Sequence, residues 1–257
     1  MSFNVVNYTQ MMEFELPRRF RTLPCLDGVF EPEEGMMCVV VGTPGAGKTR
    51  FSTHIVAELA RKYGHSALVA SPEMNPRVFG NTLRQYMAAH KCTKAGKQIA
   101  LLRNDQQMTV QAVLKYVEAE QPGIKWLVLD PYNQFETDDG KKSVERRQME
   151  DLGAIGRFKD KTGIGVIIVA HPTKAVMGEN GRVREPTAYD ISGSAHFYNR
   201  SDLIGCLTRH TKTNKVKFNV QKIRNQEASY VPSHVWMQLN IDGTYAECLP
   251  PEEVAGK

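Results

Sequence analysis

The most specific chemistry in the chain sits in eight consecutive residues, Gly42-Thr43-Pro44-Gly45-Ala46-Gly47-Lys48-Thr49. They satisfy the pattern G-x-x-x-x-G-K-[S/T] at each fixed position. Glycines at these points let the backbone fold tightly with its N–H groups turned inward. A helix that opens directly afterwards adds the partial positive charge of its N-terminus, so an anionic triphosphate is held largely by main chain. In such a loop Lys48 reaches the β- and γ-phosphates and Thr49 offers a hydroxyl to Mg²⁺. The spacing therefore predicts a nucleoside triphosphate site with magnesium, lined by residues 42–49 and the adjoining Arg50.

Loops of this kind serve kinases, GTPases, transporters and motors alike. A hydrolytic motor needs in addition an acid beside the metal and a base to activate water. Asp130 closes the apolar run Trp126-Leu127-Val128-Leu129, a position from which a carboxylate reaches Mg²⁺ at the end of a buried strand. Glu73 follows the predicted strand Ser66–Ala70 and is the candidate general base; taken alone it reads equally well as an acid at the start of the helix entered through Asn75-Pro76-Arg77. The run Val166–Ala170 delivers His171 to the same edge, where a polar group can touch the γ-phosphate or the attacking water.

The elements that must position these residues follow from an alternation of short apolar runs with helix-like stretches. Met36–Val41 precedes Arg50–Tyr63, Ser66–Ala70 precedes Arg77–His90, and Trp126–Leu129 precedes Ser143–Lys161, with Val166–Ala170 after them. This is the signature of an α/β fold, a mostly parallel sheet flanked by helices. Near the C-terminus the pattern changes: Leu203–His210 and Lys215–Ile223 flank a turn, and Val235–Asn240 and Thr244–Cys248 are joined by Asp242-Gly243, so antiparallel edge strands are expected there. Residues 1–30, which include Arg18, Arg19 and Arg21, read as an arm or approach segment, 31–249 as one domain, and 250–257 as a loose tail.

The whole chain sets outer bounds. Its 257 residues are 41% hydrophobic and 24% charged, which excludes disordered, collagenous and coiled-coil classes. Apolar runs such as Met36–Val41 and Ile164–Ala170 fall far short of the roughly 20 residues a membrane span needs. The first residues carry no leader pattern, so an unprocessed cytoplasmic protein without membrane partners is expected. Five scattered cysteines (Cys25, Cys38, Cys92, Cys206, Cys248) lack metal-ligand spacing and read as reduced structural thiols. The net charge of +5 is concentrated: ten Lys or Arg against four acids between His171 and Asn225 give +6, leaving −1 elsewhere. Such an excess is either a phosphate-binding surface or a solvated basic face.

In order and spacing, the motifs Leu26-Asp27-Gly28, Gly42–Thr49, Ser71-Pro72-Glu73-Met74, Leu127–Asp130, Val169-Ala170-His171-Pro172, Gly193-Ser194-Ala195 and Lys222-Ile223-Arg224 resemble the RecA-like ATPase domain of hexameric replicative helicases, the DnaB family. Within that family the resemblance is to phage replicative helicases and the mitochondrial Twinkle type. It implies a RecA-like phosphate-loop core, ATP and Mg²⁺ as cofactors, and single-stranded DNA as a partner. It also implies a ring of subunits, a hexamer, moving 5′→3′, with a separate primase and polymerase as further partners. By the same resemblance Glu73 is the catalytic glutamate, Asp130 the acid at the metal, His171 a sensor, and Lys222 and Arg224 a pair reaching the neighbouring subunit's nucleotide. Arg209 falls where the family stacks a guanidinium on the adenine. Lys174–Thr187, with Lys174, Arg182 and Arg184, corresponds to a loop that tracks DNA phosphates, and Glu136–Arg147, with Lys141 and Lys142, is a second candidate. The sequence departs from the family after Arg224, where Asn225-Gln226-Glu227-Ala228-Ser229 replaces glycines. Two other ATPase classes fit the same loop: a RecA/RadA-like recombination or annealing protein that does not unwind DNA, and an ATP-binding switch that needs no DNA.

Overall fold

The computed structural model describes residues 18–103, 108–136, 143–173, 184–191, 193–210, 212–224 and 233–252, together with Thr9. Among the described residues nine strands form one sheet in the order β3-β2-β4-β5-β1-β6-β7-β8-β9. Six of them are parallel: β1 (Met37–Gly42), β2 (Ala67–Ala70), β3 (Ile99–Leu102), β4 (Trp126–Leu129), β5 (Gly165–Ala170) and β6 (Leu203–Arg209). Then β7 (Lys215–Ile223), β8 (Ser233–Leu239) and β9 (Tyr245–Glu247) add on antiparallel, the C-terminal change of pattern that the sequence predicts.

Helices α1 (Lys48–Tyr63), α2 (Pro76–Ala89), α3 (Val110–Glu120), α4 (Val144–Thr162) and α5 (Ser194–Arg200) cover the sheet. Alternation along β1 divides the core between two faces, Cys38 and Val40 joining the cluster with α1 and α2, and Met37, Val39 and Val41 the cluster with α3, α4 and α5. Helices α1 and α2 connect strands that step toward the β3 edge, whereas the other three connect steps in the opposite direction. Their segregation to opposite faces is what right-handed crossovers require. With both faces covered, the central parallel strands are apolar throughout rather than alternating.

Helix ends follow local chemistry. Asn75 accepts from the Arg77 N–H at 2.9 Å to start α2, Thr109 accepts from Ala112 N–H at 3.1 Å to start α3, and Gly64 and Gly163 close α1 and α4 in the left-handed conformation. Residues 18–30, part of the stretch read as an approach segment, pack into the α1 layer. Phe20, Leu23, Leu26 and Phe30 are buried, Phe20 edge-on to Trp126 at 6.2 Å and Phe30 edge-on to Phe218 at 5.3 Å. All five cysteines are free thiols, and burial pushes Cys25 and Cys206 up to about 12. Among the described residues no helix is long and apolar enough to cross a membrane.

Candidate active site

The C-terminal ends of β1, β2, β4 and β5 meet at one edge, the place where open α/β sheets bind ligands. Gly42 ends β1 where a Cβ would lie 2.8 Å from the Leu207 carbonyl oxygen on β6, so no side chain fits there. The loop closes on itself through Ala46 N–H donating to Thr43 O at 3.1 Å. It then enters α1 through Gly47, whose φ of 92° lies in the left-handed region. The first helical residues are Lys48, Thr49 and Arg50, which places the helix N-terminus and its orphan N–H groups at the loop.

Lys48 is only 6% exposed. Its Nζ donates to the Thr43 carbonyl at 3.0 Å and lies 3.2 Å from His171 Nδ1. Burial pulls the Lys48 ammonium down to about 8, opposed by the charges of Asp130 and Glu73. His171 is lowered as well, first by burial and then by the Lys48 charge. An ammonium that donates to Nδ1 requires the neutral tautomer with its proton on Nε2, the form that can donate to a phosphate oxygen. Asn133 fixes the backbone at this point, its Oδ1 accepting from His171 N–H at 2.8 Å.

Asp130 is 1% exposed at the end of β4. Thr49 Oγ1 donates to Asp130 Oδ1 at 3.2 Å and Ser52 Oγ donates to Asp130 Oδ2 at 3.3 Å. Burial nevertheless raises its carboxyl to about 6; the two hydroxyl bonds and Lys48 resist the shift and Glu73 adds to it. A hydroxyl and a carboxylate this close, beside an amide-lined loop, form an all-oxygen donor set that fits Mg²⁺, which keeps phosphates and waters as its remaining ligands. Glu73 is exposed two residues beyond the buried Ser71, whose hydroxyl accepts from Met74 N–H at 3.0 Å and fixes the turn. Its charge acts on both Lys48 and Asp130, so the carboxylate shares their edge.

Beside the loop lies a cavity of about 360 Å³ lined by Ala46, Gly47, Arg50, Arg209, Asn214 and Tyr245, among others. Arg209, expected against a base, does line it, and its Nη2 donates to Asn214 Oδ1 at 3.1 Å. A second hollow of about 250 Å³ opens on the other side of Arg50, toward Met74, Val78 and Phe79.

Lys222 and Arg224 lie elsewhere. Because β7 runs antiparallel to β6 and pairs Ile223 with Leu203, its end falls at the N-terminal edge of the parallel strands, opposite the phosphate loop. There Lys222 Nζ donates to the Tyr198 carbonyl. Arg224 Nη2 donates to the Asn199 carbonyl at 2.6 Å, while its Nη1 lies 3.2 Å from Asp202 Oδ1. Arg184 is also paired within the chain, held by both carboxylate oxygens of Asp190, and Lys217 is paired with Glu185 at 2.9 Å. Lys141, Lys142, Lys174 and Arg182 lie outside the described residues.

Four residues that the sequence reading does not single out belong to the site: Ser52, Asn133, Asn214 and Tyr245. Ser52 is within reach of such a reading, since it lies three residues after Thr49 and so shares its helical face. Tyr245 leaves no local signal, for it comes from β9 at the far end of the sheet order and is brought to the loop only by the C-terminal strands.

This geometry defines a phosphate-loop ATPase domain with a RecA-like fold. The AAA domain family model matches residues 21–177, more than half of the chain, and the chain belongs to that family. It is 25% identical over 253 residues to the Twinkle homolog protein, chloroplastic/mitochondrial, of Arabidopsis thaliana, a match covering 86% of the chain and 35% of that protein. The chain thus spans about a third of the length of that relative. Among solved structures, a separately solved ATPase domain superposes with a TM-score of 0.67 at 14% identity over 84% of this chain and 86% of that one. A DnaB-like replicative helicase, in a structure describing its interactions with primase, gives 0.67 at 14% over 83% and 57%. The RadB recombinase gives 0.61 at 13% over 82% and 90%. At these identities the likeness establishes a common fold.

Proposed function

We propose that the chain is the motor domain of an ATP-driven DNA helicase that works as a ring, a hexamer, and moves 5′→3′ on single-stranded DNA. The observation that carries this reading is the division of the catalytic set between two edges. Lys48, Thr49, Asp130, His171 and Glu73 gather at one edge, and Lys222 and Arg224 sit at the other. A cation pair facing away from its own phosphates has a use in a second copy stacked head to tail, where a guanidinium supplied in trans stabilises the charge that develops on the transferred phosphoryl group. In this reading Glu73 accepts the proton of the attacking water, Lys48 and the loop amides hold the phosphates, and His171 donates from Nε2 to the γ-phosphate and so registers its departure. Thr49 and Asp130 would hold Mg²⁺, which would neutralise phosphate charge. Arg209 lies against the base.

Single-stranded DNA is the proposed track, with Lys174, Arg182 and Arg184 on the segment nearest the sensor and Lys141 and Lys142 on a second; contacts to phosphates of this kind are independent of sequence and sensitive to salt. Residues 31–249 are taken as the motor body with 18–30 packed on it, 1–17 as the remaining arm and 250–257 as a tail. A separate primase and polymerase are the expected partners.

Strand displacement on forked duplexes carrying only a 5′ or only a 3′ single-stranded tail, with ATP and Mg²⁺ at low salt, tests the reading. Displacement confined to the 5′-tailed fork is expected. The likeness to RadB favours one other reading, a recombination-type ATPase, which predicts DNA binding and ATP turnover without displacement on either fork.

A further inference from the structure

The backbone leaving β5 through His171 comes back to its starting point. Pro172 pairs with Ile191 in an isolated antiparallel bridge, and Thr173 N–H donates to the Asp190 carbonyl at 2.6 Å. The buried Asp190 carboxylate organises this return, accepting from Thr187 N–H at 2.6 Å, Thr187 Oγ1 at 2.8 Å and Arg184 Nη1 at 2.8 Å. These bonds define a single 3₁₀ turn, Ala188–Asp190, whose middle residue is Tyr189.

Tyr189 is 65% exposed, yet its ring lies nearly flat on that of Tyr198 in α5, with centroids 5.1 Å apart and planes 17° from parallel. Tyr198 in turn holds Lys222: the ammonium lies 4.9 Å from the ring centroid and donates to the Tyr198 carbonyl. The next carbonyl, that of Asn199, holds Arg224. An unbroken series of contacts therefore runs from Arg184 through Asp190, Tyr189 and Tyr198 to the cation pair. Its first member is an exposed guanidinium on the segment assigned to DNA. A phosphate offers Arg184 the same bidentate, charge-assisted geometry that Asp190 does, so DNA and Asp190 compete for it.

We propose that Tyr189 and Tyr198 are positioning residues: their stack holds Lys222 directly and steadies the end of α5, whose Asn199 carbonyl seats Arg224 together with Asp202, until a DNA phosphate draws Arg184 from Asp190, whereupon the turn relaxes and the cations become available to the neighbouring nucleotide. The proposal rests on the helicase reading and adds a route by which a strand in one subunit raises turnover in the next. It makes the stack a restraint, so breaking it yields a gain in turnover that simple structural damage would not produce.

The test measures kcat and KM for ATP with the full chain, with and without a dT oligonucleotide, and the affinity for that oligonucleotide by fluorescence anisotropy. Tyr189→Ala is expected to raise DNA-free kcat about fivefold at unchanged KM and to shrink the stimulation by DNA correspondingly. Tyr189→Phe keeps the ring and loses only the hydroxyl contact with Tyr198, and is expected to stay close to wild type. Asp190→Asn weakens the hold on Arg184 from the other side and should likewise raise DNA-free kcat; unaltered DNA-free turnover in both Tyr189→Ala and Asp190→Asn overturns the proposal. Weaker oligonucleotide binding by Tyr189→Ala without a gain in DNA-free kcat also overturns it and makes Tyr189 a direct stacking platform for bases. Wild-type turnover that ignores DNA would remove the helicase reading itself, whereas intact wild-type stimulation preserved in Tyr189→Ala removes the restraint alone.

Discussion

The two edges of the parallel sheet hold their charged groups in different ways. At the C-terminal edge Lys48 and Asp130 are buried, each tied to neighbours that are themselves fixed by the loop and by α1. Their ionisation is perturbed by desolvation, the ammonium downward and the carboxyl upward. At the N-terminal edge Arg224 is half exposed and leans on a helix-end carbonyl and on Asp202, contacts that a second subunit could replace. A site organised before its ligand arrives needs rigid, dehydrated groups, whereas in the proposed ring Arg224 must be able to leave its resting place.

Removing either half is expected to break turnover, in different ways. Lys48→Ala is expected to abolish ATP turnover and to weaken nucleotide binding, measured by steady-state hydrolysis and by a fluorescent nucleotide titration. Arg224→Ala should lower kcat by about 10³-fold while leaving nucleotide affinity nearly unchanged, the signature of a cation supplied in trans. Mixing the two inactive variants sharpens the contrast, because some interfaces then join an intact phosphate loop to an intact Arg224. Partial recovery of hydrolysis is expected, and its absence would place Arg224 outside the neighbour's site.

Smaller effects report on how rigidly the first edge is built. Gly42→Ala puts a methyl 2.8 Å from a backbone oxygen and should cost about 1–3 kcal/mol of stability by denaturant unfolding. Gly47→Ala forces a side chain into the left-handed region and should cost about 1–2 kcal/mol. The nucleotide-free chain is destabilised by ionising the buried Asp130, whose carboxyl is raised from 3.8 to about 6. That destabilisation is present in full above pH 6 and is relieved as the pH falls from 6 toward 3.8. Metal binding needs the ionised form, so magnesium-dependent nucleotide affinity should fall as the pH drops below about 6. Asp130→Asn should flatten that dependence in titrations across the range.

The phosphate loop is legible because its residues are contiguous and each has a stereochemical reason to be where it is. The strand Trp126–Leu129 and the strand ending at Ile223 are legible because burial on both faces, or pairing in a hairpin, leaves a pattern in a short window. By contrast β3 and α3 are absent from the alternation read in the sequence. Ile99–Leu102 is a four-residue edge strand with little pattern of its own and becomes a strand by pairing with β2. Phe20, Leu23, Leu26 and Phe30 sit among basic and polar residues that suggest an arm, and only tertiary packing explains why they are buried, Phe20 against Tyr63 and Trp126 and Phe30 against Phe51 and Phe218.

The sequence by itself determined the triphosphate cradle, the acid that ends β4 and the histidine that ends β5, because each depends on a strand, a turn and a few neighbouring residues. Only the tertiary structure decided that Lys222 and Arg224 face away from their own phosphates. That placement depends on strand direction: β7 reverses against β6, so residues that follow the phosphate loop by more than a hundred positions return to the far edge of the sheet, and no local pattern records on which edge a returning strand ends.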